Sequence, residues 1–451
     1  MLVLCDLTVD NICHFANLVK HETDGKGLFG TFYGYVMQLI AEPRQQNAGH
    51  LALQRLWNSP DLDFLTSPTS YMFRSLDDTS YVHFMSLTDS VKLHGKLWID
   101  ENDIRTFKLG EAPGWGFTDN YADTLAMQQR EFAAVMGASC GMWWFDMGGG
   151  WYDDEQLLGK IGEMNAIGEE LKLLPRGDVD EIAIVVDDAS LAYLRINNAA
   201  SASLLNLQLP ELGRIGAPIG YYHIKDLPKL ERHKLFLFLD CFKLDKDDLV
   251  AIDHIVKQPG KVAVWYFAPG LIAEQGFSEA AMRKLTGLPL SYEVVLCSPQ
   301  LAWTPEGAAL AGKQPGELLT GGRDWQSRVT CKEDTGQVLA TYAGGGGPGL
   351  VLEEQGGFTS VWCGTGPLPA RLLHQLALRA GVHCYAPPGD LLWANESVVG
   401  LWSATGGRKE VSLPHPAAVK ELFSGTDLGE GTVFQLELPA KGTALLLIEP
   451  L

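Results

Sequence analysis

With 451 residues, the chain is too long for one hydrophobic core, and an apolar fraction of 46% is that of an ordinary globular protein of two or three domains. A formal net charge of −20 argues against nucleic acid or an anionic membrane surface as partner, because both are bound through a basic face. The eight cysteines form no C-x-x-C pair, which fits buried, reduced thiols of a cytoplasmic protein better than a zinc centre or a disulfide framework.

In chain order, residues 7–20 read as a helix with Ile12, Phe15, Ala16 and Val19 on one face. The first ten residues carry Asp6 and Asp10 and no basic-then-apolar leader, and no apolar run approaches the ~20 residues of a membrane span. Residues 28–36, L-F-G-T-F-Y-G-Y-V, form an aromatic-rich strand bounded by glycine; 49–58 is a short amphipathic helix, and 62–68, L-D-F-L-T-S-P, is a strand stopped by proline. A polar loop covers 69–89. The stretch 96–106 then reads K-L-W-I-D-E-N-D-I-R-T: a buried strand around Leu97, Trp98 and Ile99 runs straight into Asp100, Glu101, Asn102 and Asp103, with Arg105 close behind. Carboxylates beside a buried strand end are costly unless they are solvated, paired or in use. The plainer alternative is a solvated loop with one Asp–Arg pair. A helix at 121–136, a strand at 141–146 (G-M-W-W-F-D), glycines at 148–150 and a long helix at 155–173 follow.

Strand and helix thus alternate four times up to residue 173, a parallel α/β pattern. Each strand ends in polar or aromatic residues: Tyr33 and Tyr35, Ser67, Glu101, Asp146. The rim of a (β/α)8 barrel requires functional groups at consecutive strand ends, and an open doubly wound sheet predicts something similar.

Leu174-Pro175-Arg176-Gly177 breaks the chain. Continuous apolar runs at 181–186, 234–239 and 261–267 fit strands buried on both faces, with Asp187, Asp188 and Asp240 at strand ends. This is a Rossmann- or flavodoxin-like domain. No G-x-G-x-x-G follows a strand, so no dinucleotide, and no other cofactor or metal, is expected. A helix covers 369–380. From residue 385 short strands at 392–395, 398–403, 408–413, 434–438 and 444–448 alternate with Gly, Pro and Asn turns, the texture of a small antiparallel β-sandwich.

W-I-D-E-N-D-I-R-T at 98–106, with W-W-F-D-M-G-G-G-W-Y at 143–152, resembles a clan A glycoside hydrolase, and the three-part order is similar to that of family 42 β-galactosidases. The resemblance runs over essentially the whole chain and is most specific at 93–106 and 141–152. It implies that 28–36, 62–68, 96–101 and 141–146 are barrel strands five to eight, with the nucleophile at Glu101 and a tryptophan of the eighth strand flooring the sugar site. It also implies a trimerisation role for the middle domain. Strands one to four, and the acid/base Glu of an Asn-Glu pair ending strand four, have no counterpart and would lie upstream of Met1. The pair Asn395-Glu396 reads as a turn. The expected fold class is therefore α/β: a partial (β/α)8 barrel of about four βα units at 1–173, a Rossmann/flavodoxin-like domain at 174–384 and a small C-terminal β-sandwich at 385–451.

Retaining hydrolysis uses two carboxyl groups about 5–5.5 Å apart. Glu101 takes the nucleophile's role, and Asp103 is the fallback second carboxylate. Substrate-binding candidates are Tyr33, Tyr35, Ser67, Tyr71, Asp100, Asn102, Arg105, Trp144 and Asp146. The tyrosines either meet a sugar or belong to the core. One of Asp100 and Asp103 is expected to pair with Arg105. Adjacent tryptophans on a strand point opposite ways; Trp144 is assigned to the barrel interior and Trp143 to the helix side. Asp146 is a ligand contact or a helix cap. His94 reads as structural, and His14, His50 and His83 show no metal spacing.

The implied activity is a β-galactosidase-like hydrolase acting on carbohydrate. A competing reading is a non-catalytic remnant serving as an oligomerisation or carbohydrate-binding module. A weaker one is an amidotransferase-like middle domain, but Leu239-Asp240-Cys241-Phe242 lacks the glycines of a nucleophile elbow. A half barrel leaves two strand edges unpaired. It is expected to close against another copy in a dimer or trimer, to be covered by the later domains, or to be poorly stable alone.

Overall fold

Three large sheets follow one another in the computed structural model, which describes residues 2–38, 46–82, 84–110, 116–196 and 199–451. The first is parallel and pairs its strands in chain order: β1 (Gly30–Phe32), β2 (Phe64–Pro68), β3 (Leu97–Asn102) and β4 (Gly141–Trp144). Helices α1 (Leu2–Glu22), α2 (Leu53–Trp57), α3 (Thr88–Leu93), α4 (Tyr121–Gly137) and α5 (Glu155–Leu171) precede, separate and follow them. Local chemistry starts the long helices: the Asn120 side chain accepts from the Asp123 N–H, and the Asp154 side chain from those of Gln156 and Leu157.

Register shows the curvature of this sheet. Phe32 pairs with Thr66, Thr66 with Ile99 and Ile99 with Gly141, so these residues and their i+2 neighbours share one face. On that face the rings of Phe32 and Trp143 stand 6.2 Å apart, although their strands are separated by three spacings of about 4.8 Å. A flat sheet cannot bring them together; a sheet rolled into half a barrel can. The opposite face, with Leu65 and Trp98 fully buried, lies in the main core.

α1 starts earlier than the helix over residues 7–20 that the apolar spacing predicts. It is long and apolar enough, by length and composition alone, to cross a bilayer, which corrects the expectation that no segment reaches that length. Here Cys5, Val9 and Ala16 pack into the core, and Asp6 and Asp10 pair with Arg55 of α2.

The second sheet has nine strands. Its parallel part is β5 (Ile182–Val186), β6 (Ile219–His223), β7 (Leu235–Phe238), β8 (Val262–Tyr266) and Phe358–Cys363, in the order β6-β5-β7-β8 and then 358–363. That is the flavodoxin-like order 2-1-3-4-5. Every residue of β5, β7 and β8 is buried, as the continuous apolar runs require. Strands Pro348–Gln355, Gln337–Tyr342, Gln300–Trp303 and Leu318–Thr320 extend the sheet antiparallel.

The third sheet is antiparallel and five-stranded: Leu391–Ala394, Val398–Ser403, Gly407–Glu421, Asp427–Leu438 and Gly442–Pro450. Gly407–Glu421 runs past Pro414 and Pro416 because the ladder with its neighbour is interrupted between Ser412 and Ala417, where proline's missing donor costs nothing. Val399, Val411, Phe434 and Leu446 make this sheet's own core; on its other face Val398 and Leu445 pack against Phe132 of α4 and Leu157 of α5. The helix side of the half barrel is thus covered by later parts of the chain. All eight cysteines are unpaired.

Candidate active site

β3 sends alternate side chains to opposite faces. Trp98, Asp100 and Asn102 look toward the helices, and the Asn102 amide donates to Gln128 of α4 at 2.8 Å. Ile99 and Glu101 look into the concave face, with Glu101 in register with Pro68 on one side and Trp143 on the other. Glu101 is only 8% exposed, and its carboxylate has no hydrogen bond or ion pair among the described residues. Burial, then the neighbouring Asp103, pushes its pKa up to about 7. A lone, half-ionised carboxylate therefore stands at the C-terminal end of a barrel strand, the position at which this architecture presents reactive groups.

Asp103 belongs to a tight buried arrangement. It is ion-paired with Arg74, both side chains being almost fully buried. Arg74 also donates to the carbonyls of Ser70 at 2.7 Å and Thr69 at 2.6 Å, and its guanidinium lies 4.5 Å from the centre of the Tyr71 ring. The Tyr71 hydroxyl bonds Asp103; burial and then that charge push its pKa up. Burial, and then Glu101, does the same to Tyr35. Both phenols stay neutral O–H groups beside Glu101. His50 accepts from the backbone N–H groups of Gly34 and Tyr35 at 2.9 and 3.2 Å, which fixes the turn carrying Tyr35; burial pushes its own pKa down to about 4. The structure thus gathers Glu101, Asp103, Tyr35 and Tyr71, and adds Arg74 and Trp143.

Asp103 stays in this group in another role, and the remaining residues lie elsewhere. Asp103, the fallback catalytic carboxyl, is held by Arg74, and Arg74 rather than Arg105 is its partner. Asp100 lies under α4 and accepts from Thr69 Oγ1 at 2.6 Å; burial raises its pKa to about 8. Ser67 is in register with Asp100, fully buried, and donates to the Pro68 carbonyl. Tyr33 is 1% exposed and stacks on His50 at 4.9 Å, a core residue. The tryptophan assignment is reversed: Trp144 donates to Asn165 of α5 at 2.9 Å, and Trp143 shares the concave face with Glu101. Asp146 accepts from the N–H groups of Gly149 and Trp151 at 2.7 and 2.9 Å, closing the glycine turn, while Asp154 caps the helix. His94 faces Asp226 at 2.9 Å, a structural contact. The Asn395 side chain accepts from Ser397 and Val398, as a turn residue does. His83 lies outside the described residues. Arg74 escaped notice because it sits in a polar loop; the available signal was an arginine near a strand end facing a surplus of carboxylates.

Asp187, Asp188 and His223 bring potential metal-ligating atoms within 4.8 Å of one another. Their atoms are already engaged. Asp187 caps the turn at Ala189 and Ser190; Asp188 accepts from the Leu53 N–H at 2.9 Å and faces His223 Nε2 at 3.0 Å. His223 Nδ1 accepts from the Lys225 N–H, so its proton sits on Nε2 and goes to Asp188. The group ties β5 and β6 to the half barrel rather than offering lone pairs to a cation.

No family model and no curated protein matches the sequence. Solved structures do match. The β-galactosidase from Rahnella sp. R3 superposes with a TM-score of 0.60 at 14% identity, covering 87% of this chain and 61% of that one. That from the psychrophilic Marinomonas ef1 gives 0.59 at 15%, covering 98% and 67%. A family 42 β-galactosidase from G. stearothermophilus gives 0.57 at 10%, covering 90% and 67%. The fold is that of the family 42 β-galactosidases. The chain spans about two thirds of the length of these β-galactosidases, or somewhat less. At such low identity the likeness concerns fold, and within the family 42 fold the site has to be argued from its own residues.

Proposed function

We propose that the chain acts on β-linked sugars as a retaining, β-galactosidase-like hydrolase with Glu101 as nucleophile. The observation that carries this reading is an unpaired carboxylate on the concave face of a family 42-like half barrel, at a strand end and beside two neutral phenols. In this mechanism ionised Glu101 attacks the anomeric carbon as the bond to the leaving oxygen breaks, and water later releases the sugar. Tyr35 donates to the sugar or to Glu101, and Trp143 offers the apolar floor. Tyr71, whose proton goes to Asp103, accepts from a sugar hydroxyl. Treatment with a 2-deoxy-2-fluoro galactoside carrying a good leaving group should label the peptide containing Glu101. A label on another residue overturns the assignment.

Among the described residues Asp103 is the only carboxylate that perturbs Glu101, and Arg74 holds it. Among the described residues no free acid therefore stands ready to protonate the leaving oxygen. Dinitrophenyl galactosides, whose leaving group needs no proton, should be turned over, whereas lactose and methyl galactosides should be cleaved at least ~100-fold more slowly. Equal rates on both would mean that an acid is supplied. The same missing acid favours the second reading, a carbohydrate-binding or oligomerising module without hydrolysis. Dinitrophenyl galactoside turnover equal to that of Glu101→Gln would select it. We also infer an assembly of two or three copies, since β1 and β4 each have one neighbour among the described strands; light scattering tests this.

A further inference from the structure

We propose that α1 is a dimerisation helix, whose outer face pairs antiparallel with the same face of a second copy about a twofold axis at Asn11. α1 carries apolar residues on two opposite sides. Cys5, Val9 and Ala16 point into the core. Leu4, Leu7, Phe15 and Leu18 are 47%, 54%, 56% and 44% exposed, and Asn11 is exposed in their midst. At 3.6 residues per turn, positions 4, 7, 11, 15 and 18 fall within an arc of about 80°, facing away from the buried side. A helix that is apolar all round belongs in a buried setting. Among the described residues the outer face of α1 is left open.

The stripe is its own complement. Positions 4 and 18, and positions 7 and 15, are symmetric about Asn11. When two copies of α1 run antiparallel, Leu4 meets the partner's Leu18, Leu7 meets the partner's Phe15, and each Asn11 meets the other. Such reciprocal matching is what a twofold interface requires. An amide side chain both donates and accepts, so two Asn11 side chains satisfy each other at the axis. A single polar residue in an apolar seam also fixes its register. The antiparallel sense opposes the two helix dipoles and sets each bulky Phe15 against a smaller leucine, whereas a parallel pair aligns the dipoles.

Size and charge name the partner. Leu4, Leu7, Phe15, Leu18 and the adjoining Val3, 70% exposed, leave on the order of 450 Å² of apolar surface open. That is the size at which a surface patch marks an interaction site. With the exposed Asn11 and His14 added, two such faces bury on the order of 1,000 Å², the area a specific interface needs. The stripe itself carries no charge. Asp6 and Asp10 beside it are matched by Arg55, and Lys20 by Asp63. On a chain of net charge −20, such a face lets two copies approach without repulsion. A bilayer surface fits less well, because helices that lie on membranes are bordered by lysine and arginine. This surface is separate from the edges of β1 and β4, and the inference does not rest on the glycosidase reading.

Light scattering of the full chain tests the pairing, and cross-linking reads its register. The wild type should have the mass of two 49.3 kDa chains. Leu7→Lys and Phe15→Glu should each weaken the dimer at least about 100-fold, with far-UV circular dichroism unchanged because both side chains lie outside the core. An equimolar mixture of the two variants should recover dimers, since one opposite-charge pair forms and one native Leu7–Phe15 contact stays. Oxidation should link Asn11→Cys to its own copy. It should link Leu4→Cys to Leu18→Cys but not to itself. A wild-type monomer or trimer, a mixture that stays monomeric, or Leu4→Cys linking to its own copy overturns the proposal. An assembly that survives both substitutions would rest on the strand edges instead, and a monomer that floats with phosphatidylcholine vesicles would make the bilayer the occupant; either result overturns it too.

Discussion

Asp100 and Glu101 are chain neighbours with opposite surroundings, and that contrast sets how each responds to pH. Glu101 faces the concave surface and titrates at about 7; as only the carboxylate attacks, turnover of an activated galactoside should rise with pH through that value. Asp100 is sealed beneath α4, where burial lifts its pKa to about 8, and its Oδ1 has no partner among the described residues. In the unfolded chain Asp100 titrates near 3.8. Between those values the fold keeps a proton that the unfolded chain has released. Stability from this group is therefore complete at low pH and lost as pH rises through about 8. Asp100→Asn keeps an acceptor for Thr69 and removes the titration. Its melting temperature should fall less steeply than the wild type's from pH 5 to 9, with the gap widening to several degrees above pH 8. Parallel melting curves across that range would show that Asp100 ionises without cost.

At the scale of the element, the acid-ended strand was legible because its apolar run stops abruptly in carboxylates, and the alternation of strands and helices was legible from period and glycine punctuation. The phase of β4 was not. Two tryptophans in sequence satisfy alternation either way, and only pairing with β3 decides that Trp143 shares a face with Glu101. The faces of Tyr33, left open between sugar and core, and of Ser67 were not legible for the same reason, since a strand end has two faces and register is a long-range property. β6, I-G-Y-Y-H, gives little signal because it is short and ends polar, and the antiparallel strands after residue 300 because they are short runs set between glycine-rich turns. The tryptophan pair gives a direct test. Trp143→Ala should weaken galactoside binding with little change in stability. Trp144→Ala, which leaves Asn165 without its donor and opens the packing on α5, should lower the melting temperature with little change in binding. The reverse pattern would restore the sequence-based assignment.

Across the whole molecule, the half barrel and the second sheet are stitched by buried polar contacts rather than only by apolar surface. Ser90 of α3 donates to Asp226 at 2.6 Å and accepts from the His223 N–H at 2.7 Å. The Tyr221 N–H donates to Asp89 at 2.7 Å, and the hydroxyls of Tyr81 and Tyr221 meet at 2.6 Å. The Leu53 N–H reaches Asp188. Without the second sheet these groups and the apolar surface around them would face water, whereas within the full chain the loss of one partner leaves the other buried and unmet. Leaving one unsatisfied costs about 1–3 kcal/mol. A polypeptide of residues 1–173 should therefore show no cooperative unfolding, whereas the full chain should lose both parts in one transition. Ser90→Ala removes two of the contacts at once. It should destabilise the full chain by about 2 kcal/mol or more in urea, without touching the concave face where Glu101 stands. If the midpoint is unchanged, or if 1–173 melts cooperatively by itself, the half barrel does not depend on these ties.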